Sequence, residues 1–173
     1  GSQNALYLLT RLLMSRQTRV AVENPGFREA INTFLLNDTH IVPHPVDEEG
    51  IVLGETPCDY YYVTPGHQVP TGVTMSKARR VQLLEYATRH DAVIIEDDYD
   101  SELRYNGQPF PSLQGMAPDQ VIYLGTFSKV LFPSLRLGYA VLPKELVAPF
   151  CGLRVLIDRH PPAADQHVLA AFI

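Results

Sequence analysis

Four stretches of this sequence place chemically capable residues directly after short apolar runs. Phe27 follows Arg19-Val-Ala-Val-Glu23 across the turn Asn24-Pro25-Gly26. Gly66-His67-Gln68-Val69-Pro70-Thr71-Gly72 follows Tyr60-Tyr-Tyr-Val63. Glu96-Asp97-Asp98-Tyr99-Asp100 follows Ala92-Val-Ile-Ile95, and Gly125-Thr126-Phe127-Ser128-Lys129 follows Val121-Ile-Tyr-Leu124, with Arg136 further on. Taken singly, each has an ordinary explanation. Lys129 reads as a solvated loop lysine, Asp97 as a turn or cap residue, His67 as a loop hydrogen-bonder and Phe27 as core. Taken together they supply an aromatic face, a carboxylate, a phenol, hydroxyls, an amine and a guanidinium.

The apolar runs that precede them must position them. Ala92–Ile95, Val121–Leu124 and Leu137–Leu142 are apolar on both faces, as strands buried between helix layers are. Further strands are expected at Arg19–Glu23, near Ile41-Val42 and at Tyr60–Val63. Helices are expected from Ser2 to Met14, with Ser2 as its cap, from Phe27 to about Leu36, and from Ser76 to Arg89. In the last of these, Lys77, Arg79 and Arg80 are expected to face water, and Val81, Leu84 and Ala87 the core. Strands alternating with helices predict an α/β fold, a three-layer α/β/α domain with a mainly parallel sheet. In such sheets ligands bind outside the carboxyl ends of the strands, where all four stretches would meet.

That inventory suits pyridoxal 5'-phosphate (PLP). Its aldehyde needs an amine of lowered pKa, which a desolvated lysine near other cationic charge supplies. Its pyridine nitrogen keeps its proton beside a buried Asp. Its phosphate suits a helix N-terminus with hydroxyls and an Arg, offered here by Gly1-Ser2-Gln3, Thr126, Ser128 and Arg136. Its flat ring suits an aromatic face.

Along essentially its whole length the chain resembles the fold-type-I PLP enzymes, and most closely the aminotransferase-like effector domain of MocR/GabR-type transcription regulators. The runs that carry the resemblance are Gly1–Leu6, Val22–Phe27, Val63–Gly72, Ile95–Glu102, Tyr123–Lys129 and Pro133–Tyr139, with Val141-Leu-Pro143. The resemblance implies Lys129 as the Schiff-base lysine, Asp97 as partner of the pyridine nitrogen and Tyr99 as donor to the ring's phenolic oxygen. It implies Phe27 stacked on the ring, and Ser2, Gln3, Thr126, Ser128 and Arg136 around the phosphate. It also implies one antiparallel strand in the sheet, a homodimer, an amino-acid effector or substrate, and DNA contact only through a separate N-terminal domain. One departure stands out: Val69 precedes Pro70-Thr71-Gly72 where the common aminotransferase loop has Asn, so His67 or Gln68 is expected to contribute instead. The chief alternative is a genuine class I/II aminotransferase. Another reading, a phosphohydrolase holding magnesium on Asp97, Asp98 and Asp100, is disfavoured because neighbouring strand residues point apart. A vestigial site is the remaining one.

Composition narrows the class. The chain has 173 residues, 46% of them hydrophobic, and a formal charge of −5, which argues against a basic nucleic-acid surface on this segment. Cys58 and Cys151 stand far apart with no CxxC partner, so no thiolate metal site is expected and a reducing cytoplasm is. No apolar run suggests a membrane span. The chain opens on Gly1-Ser2 without Met and ends at Ala170-Ala171-Phe172-Ile173 in a helical pattern. A PLP-binding large domain over residues 1–160, truncated at both ends, is therefore expected, with residues 161–173 starting the connection to a small domain.

Overall fold

The computed structural model of the chain describes residues 1–100 and 110–173, so Ser101 and Glu102 of the Ile95–Glu102 run lie outside the described residues. In chain order the elements are α1 (Ser2–Leu13), β1 (Arg19–Asn24), α2 (Arg28–Leu35), β2 (His40–Asp47), β3 (Gly50–Ile51), β4 (Tyr60–Val63), α3 (Lys77–Arg89), β5 (Val93–Asp98), α4 (Leu113–Met116), β6 (Val121–Thr126), a 3₁₀ turn (Pro133–Leu135), β7 (Gly138–Val141), α5 (Lys144–Ile157) and α6 (Ala163–Phe172).

The strands form one sheet in the order β3-β2-β1-β4-β5-β6-β7. β2, β1, β4, β5 and β6 run parallel, and β7 closes one edge antiparallel to β6. At the other edge the two-residue β3 turns back on β2, a second antiparallel contact that the sequence pattern did not show. Side-chain alternation splits the core into two layers. Val20, Val22, Tyr62, Ile95, Ile122 and Leu124 pack with Leu6, Leu8 and Leu9 of α1 and Phe34 of α2. Ala21, Tyr61, Val63, Ile94 and Val121 pack on the opposite face with Leu83, Tyr86 and Ala87 of α3. The three-layer α/β/α expectation holds.

Four local expectations are corrected. Ser2 does not cap α1: Gly1 does, its carbonyl taking the Asn4 and Ala5 amides, with Ser2 inside the helix. β2 runs over His40–Asp47 rather than a short piece near Ile41-Val42, because Pro43 and Pro45 sit in a strand paired residue by residue with β1. Glu96, Asp97 and Asp98 lie inside β5, held by the register Glu96↔Tyr123, Asp97↔Leu124 and Asp98↔Gly125. On α3, Ser76 does cap the Arg79 amide, but Arg79 and Arg80 are buried and Val81 is exposed. Their guanidiniums satisfy loop carbonyls: Arg79 those of Gly50 and Ile51, Arg80 those of Met75, Pro65 and Pro111. These carbonyls, with Asp47 beside Arg79 and Glu96 beside Arg80, outweigh the usual preference of arginine for water.

Candidate functional site

The carboxyl ends of β1, β4, β5 and β6 carry Glu23, Thr64, Asp97 and Thr126 respectively, all buried. Asp97 is the centre. It shares the α1-side face with Ile95, and Tyr62 on the neighbouring strand donates a 2.5 Å hydrogen bond to its Oδ2. Its other oxygen, Oδ1, is buried with no hydrogen-bond partner among the described residues. Burial lifts the carboxyl from 3.8 to about 6, and the Tyr62 hydroxyl opposes that lift. A buried anion with one free lone-pair face is a receptor for a cationic N–H.

Glu96 and Asp98 leave the strand on the opposite face. Glu96 accepts the Leu113 and Gln114 amides at the start of α4, at 3.1 and 2.9 Å, and Asp98 accepts the Tyr123 hydroxyl at 2.8 Å. Asp100 pairs with His67 Nδ1 at 2.7 Å. The three aspartates therefore point to three places, and no cluster of three or more His, Cys, Asp or Glu side chains suited to a metal forms among the described residues.

Tyr99 lies half-buried beside the loop after β4. Its hydroxyl donates to the His67 carbonyl at 2.8 Å, and the two rings stack with centroids 6.1 Å apart. Burial first, then the nearby carboxylates, raise the phenol to about 12, so Tyr99 stays a hydrogen-bond donor throughout the neutral range. Phe27 caps α2 and packs against the α1-side core cluster. Gln68 is buried and fully engaged: its two amide N–H groups are shared among Val69 O, Pro25 O and, at longer range, Glu23 Oε2, and its carbonyl oxygen accepts from Thr71. Its side chain is a brace between loops, and the exposed His67 is the residue of that pair open to a ligand.

After β6 the chain turns. The Ser128 amide donates to Thr126 Oγ1 at 3.2 Å, while Ser128 Oγ is buried without a partner among the described residues. Lys129 follows on the same turn and is exposed, so the described residues do not provide the desolvation expected around it. Arg136 has a left-handed backbone (φ 52°) after the 3₁₀ turn and lies against the start of α1. Gly138 permits this approach: a Cβ there would stand 2.7 Å from the Ser2 nitrogen and 2.8 Å from the Gly125 carbonyl. Thr126, Ser128, Arg136 and the Ser2 and Gln3 amides thus belong to one end of the sheet. The Gln3 side chain itself turns away, donating to Thr33 on α2 at 2.7 Å.

Cavities flank the strand ends among the described residues. One of about 820 Å³ lies between α1, β7, α5 and α6, with Gly1 and Arg136 on its wall. Another, about 380 Å³, lies on the far face beside Arg80, Glu96 and Asp98. Sequence reasoning missed Tyr62 and Glu23. The signal for Tyr62 was a tyrosine in a buried strand, whose hydroxyl needs a partner. For Glu23 it was a carboxylate closing an apolar run.

Known proteins resemble this chain in sequence and in fold. The family model for aminotransferase class I and II matches residues 1–154. The chain is 45% identical over 158 residues to the uncharacterised helix-turn-helix-type transcriptional regulator YdeL of Bacillus subtilis, covering 89% of this chain and 34% of that protein. It is 40% identical to the probable rhizopine catabolism regulatory protein MocR of Rhizobium meliloti, over 100% of this chain and 36% of MocR. The crystal structure of the α-aminoadipate aminotransferase LysN of Thermus thermophilus, complexed with N-(5'-phosphopyridoxyl)-L-leucine, superposes with a TM-score of 0.93 at 32% identity, over 99% of this chain and 47% of LysN. The chain thus spans between a third and a half of each of these proteins.

Proposed function

This chain belongs to the aminotransferase class I and II family, and from that premise we propose that it holds PLP at the carboxyl ends of β1, β4, β5 and β6. Lys129 carries the cofactor as a Schiff base, and the domain senses an amino-acid effector for a MocR/GabR-type transcription regulator. The observation that bears most of the weight is the buried, half-satisfied carboxylate of Asp97, which fits a protonated pyridine nitrogen. The unpartnered Ser128 hydroxyl beside Thr126 fits a phosphate oxygen, together with Arg136 and the Ser2 and Gln3 amides at the start of α1.

When bound, the cofactor withdraws electrons from the bonds at an amino acid's α-carbon. The chain's own residues orient and polarise. Asp97 would keep the proton on the ring nitrogen, with Tyr62 holding the Asp97 carboxylate in place. Tyr99 would donate to the ring's phenolic oxygen, Phe27 would lie against the ring face, and His67, paired to Asp100, would stand at the rim. Lys129 would hold the cofactor's aldehyde carbon and, once released from it, would be the amine able to take or return a proton at its own nitrogen. Residues 1–160 form the cofactor domain and residues 161–173, which include α6, lead out of it. The protein works as a cytoplasmic homodimer and contacts DNA through a separate domain.

The regulator reading rests on YdeL and MocR and on Val69, which replaces the asparagine of the common aminotransferase loop. The likeness to LysN favours the second reading, an aminotransferase acting on an amino acid. The test supplies full-length, PLP-loaded protein with a panel of amino acids, following DNA affinity and amino-group transfer together. A regulator shows an effector-dependent change in DNA affinity without sustained turnover. Steady multiple-turnover formation of keto acid, with no effect on DNA, supports the enzyme instead.

A further inference from the structure

The Glu23 carboxyl, which is only 2% exposed, cross-links the two loops that frame the site. Its Oε2 accepts from the Thr64 hydroxyl at 2.7 Å, the Thr64 amide at 3.3 Å and Gln68 Nε2 at 3.3 Å. Gln68 extends the link, donating to Pro25 O at 2.8 Å and taking the Thr71 hydroxyl on its own oxygen at 2.6 Å. The loop after β1, which leads to Phe27, is thereby tied to the loop after β4, which carries His67. Gly26 folds back so closely over the same residue that a Cβ there would lie 2.1 Å from the Glu23 carbonyl oxygen. A carboxylate so deeply buried is costly unless hydrogen bonds satisfy its oxygens. Burial lifts this one to about 7 while Thr64 and Gln68 pull the other way, and its second oxygen, Oε1, has no partner among the described residues.

We propose that Glu23 is a positioning residue for the cofactor site, setting through Thr64 and Gln68 the place of the His67 loop against which Tyr99 is held. This rests on the PLP reading above. Tyr99 touches that loop twice, by its bond to the His67 carbonyl and by the stack on the His67 ring. When its single O–H turns to the cofactor's phenolic oxygen, the stack remains as the locating contact. A displaced loop then costs the Tyr99 hydrogen bond although Tyr99 itself is intact.

The test uses the full-length protein loaded with PLP and reads, by absorbance, the pH at which the bound chromophore loses its proton. Tyr99→Phe removes the donor directly and is expected to weaken proton dissociation by about tenfold, the scale of one hydrogen bond to a charged acceptor. Glu23→Ala is expected to shift it in the same direction by a similar factor, and the double variant to match the single ones rather than sum them. Merely losing stability would not move a spectroscopic pKa in step with Tyr99→Phe. A Glu23→Ala protein with the unaltered midpoint, or shifts that add, overturns the proposal. If Glu23→Ala does not fold, Thr64→Val removes the shortest bond at nearly constant volume. A shift of about threefold is then expected, and no shift overturns the proposal. If the unaltered protein takes up no PLP, the parent reading fails and this one with it, a result distinguishable from loss confined to the Glu23 variants.

Discussion

Replacing Asp97 by Asn should make the cofactor-free protein more stable and its cofactor binding weaker. Burial raises the carboxyl from 3.8 to about 6. That gap of about two pKa units is worth about 3 kcal/mol between the protonated and ionised forms. Because the folded-state pKa lies above the unfolded one, this stability is fully present below about pH 4 and is lost as the pH rises through about 6. Asparagine does not titrate. At pH 8 the variant escapes the penalty of a buried anion but loses part of the 2.5 Å bond from Tyr62, a cost of about 1 kcal/mol. The net gain is about 1–2 kcal/mol, or several degrees in Tm for a domain of this size. At pH 4, where Asp97 is protonated, that gain should vanish. With PLP present the order reverses, since a neutral amide cannot answer a cationic ring N–H. Losing a charge-assisted bond worth about 1.5–3 kcal/mol weakens affinity by about 10- to 100-fold. Thermal unfolding at pH 4 and pH 8, with and without PLP, together with a fluorescence titration, reads both effects. A variant less stable than the parent at pH 8 without cofactor, or one binding PLP equally well, would refute the reasoning, as would an equal effect from Asp98→Asn.

Tyr62→Phe removes the donor that holds the Asp97 pKa down, so the pH of stability loss should move above 6 and stability at pH 8 fall by about 1.5–3 kcal/mol; pH-resolved melting curves check it. Gly26→Ala forces a methyl into the Glu23 carbonyl and should cost about 1–3 kcal/mol in thermal unfolding, with weakened PLP binding because the Phe27 and Gln68 loops shift together. Arg136→Ala should weaken PLP by about tenfold while leaving pyridoxal, which lacks the phosphate, nearly unaffected; parallel titrations with the two compounds decide it.

The layering was legible because its signal is local. Runs such as Val121–Leu124 are apolar at every position, and Ser76 ahead of α3 is a cap that needs no tertiary context. The chemistry was legible as residue types, because Asp97 and Thr126 follow or close such runs. What escaped depends on partners distant in sequence. Arg79 and Arg80 carry charge and so read as solvent-facing, yet their burial is set by carbonyls at Gly50, Ile51, Pro65 and Pro111. Asp97 belongs to β5 rather than the loop after it because the backbone of β6 pairs with it. Glu23 was passed over because its role is expressed only through Thr64 and Gln68, some forty residues away. The exposure of Lys129 runs against the desolvated amine expected from cofactor chemistry, and in the proposed function the bound cofactor itself covers the amine.

The most direct test of the central claim is to load the full-length protein with PLP, reduce it with borohydride and map the modified peptide by mass spectrometry. The account predicts a phosphopyridoxyl group on Lys129, lost in Lys129→Ala. Modification centred on Lys77 or Lys144, or labelling that persists undiminished in Lys129→Ala, would contradict it.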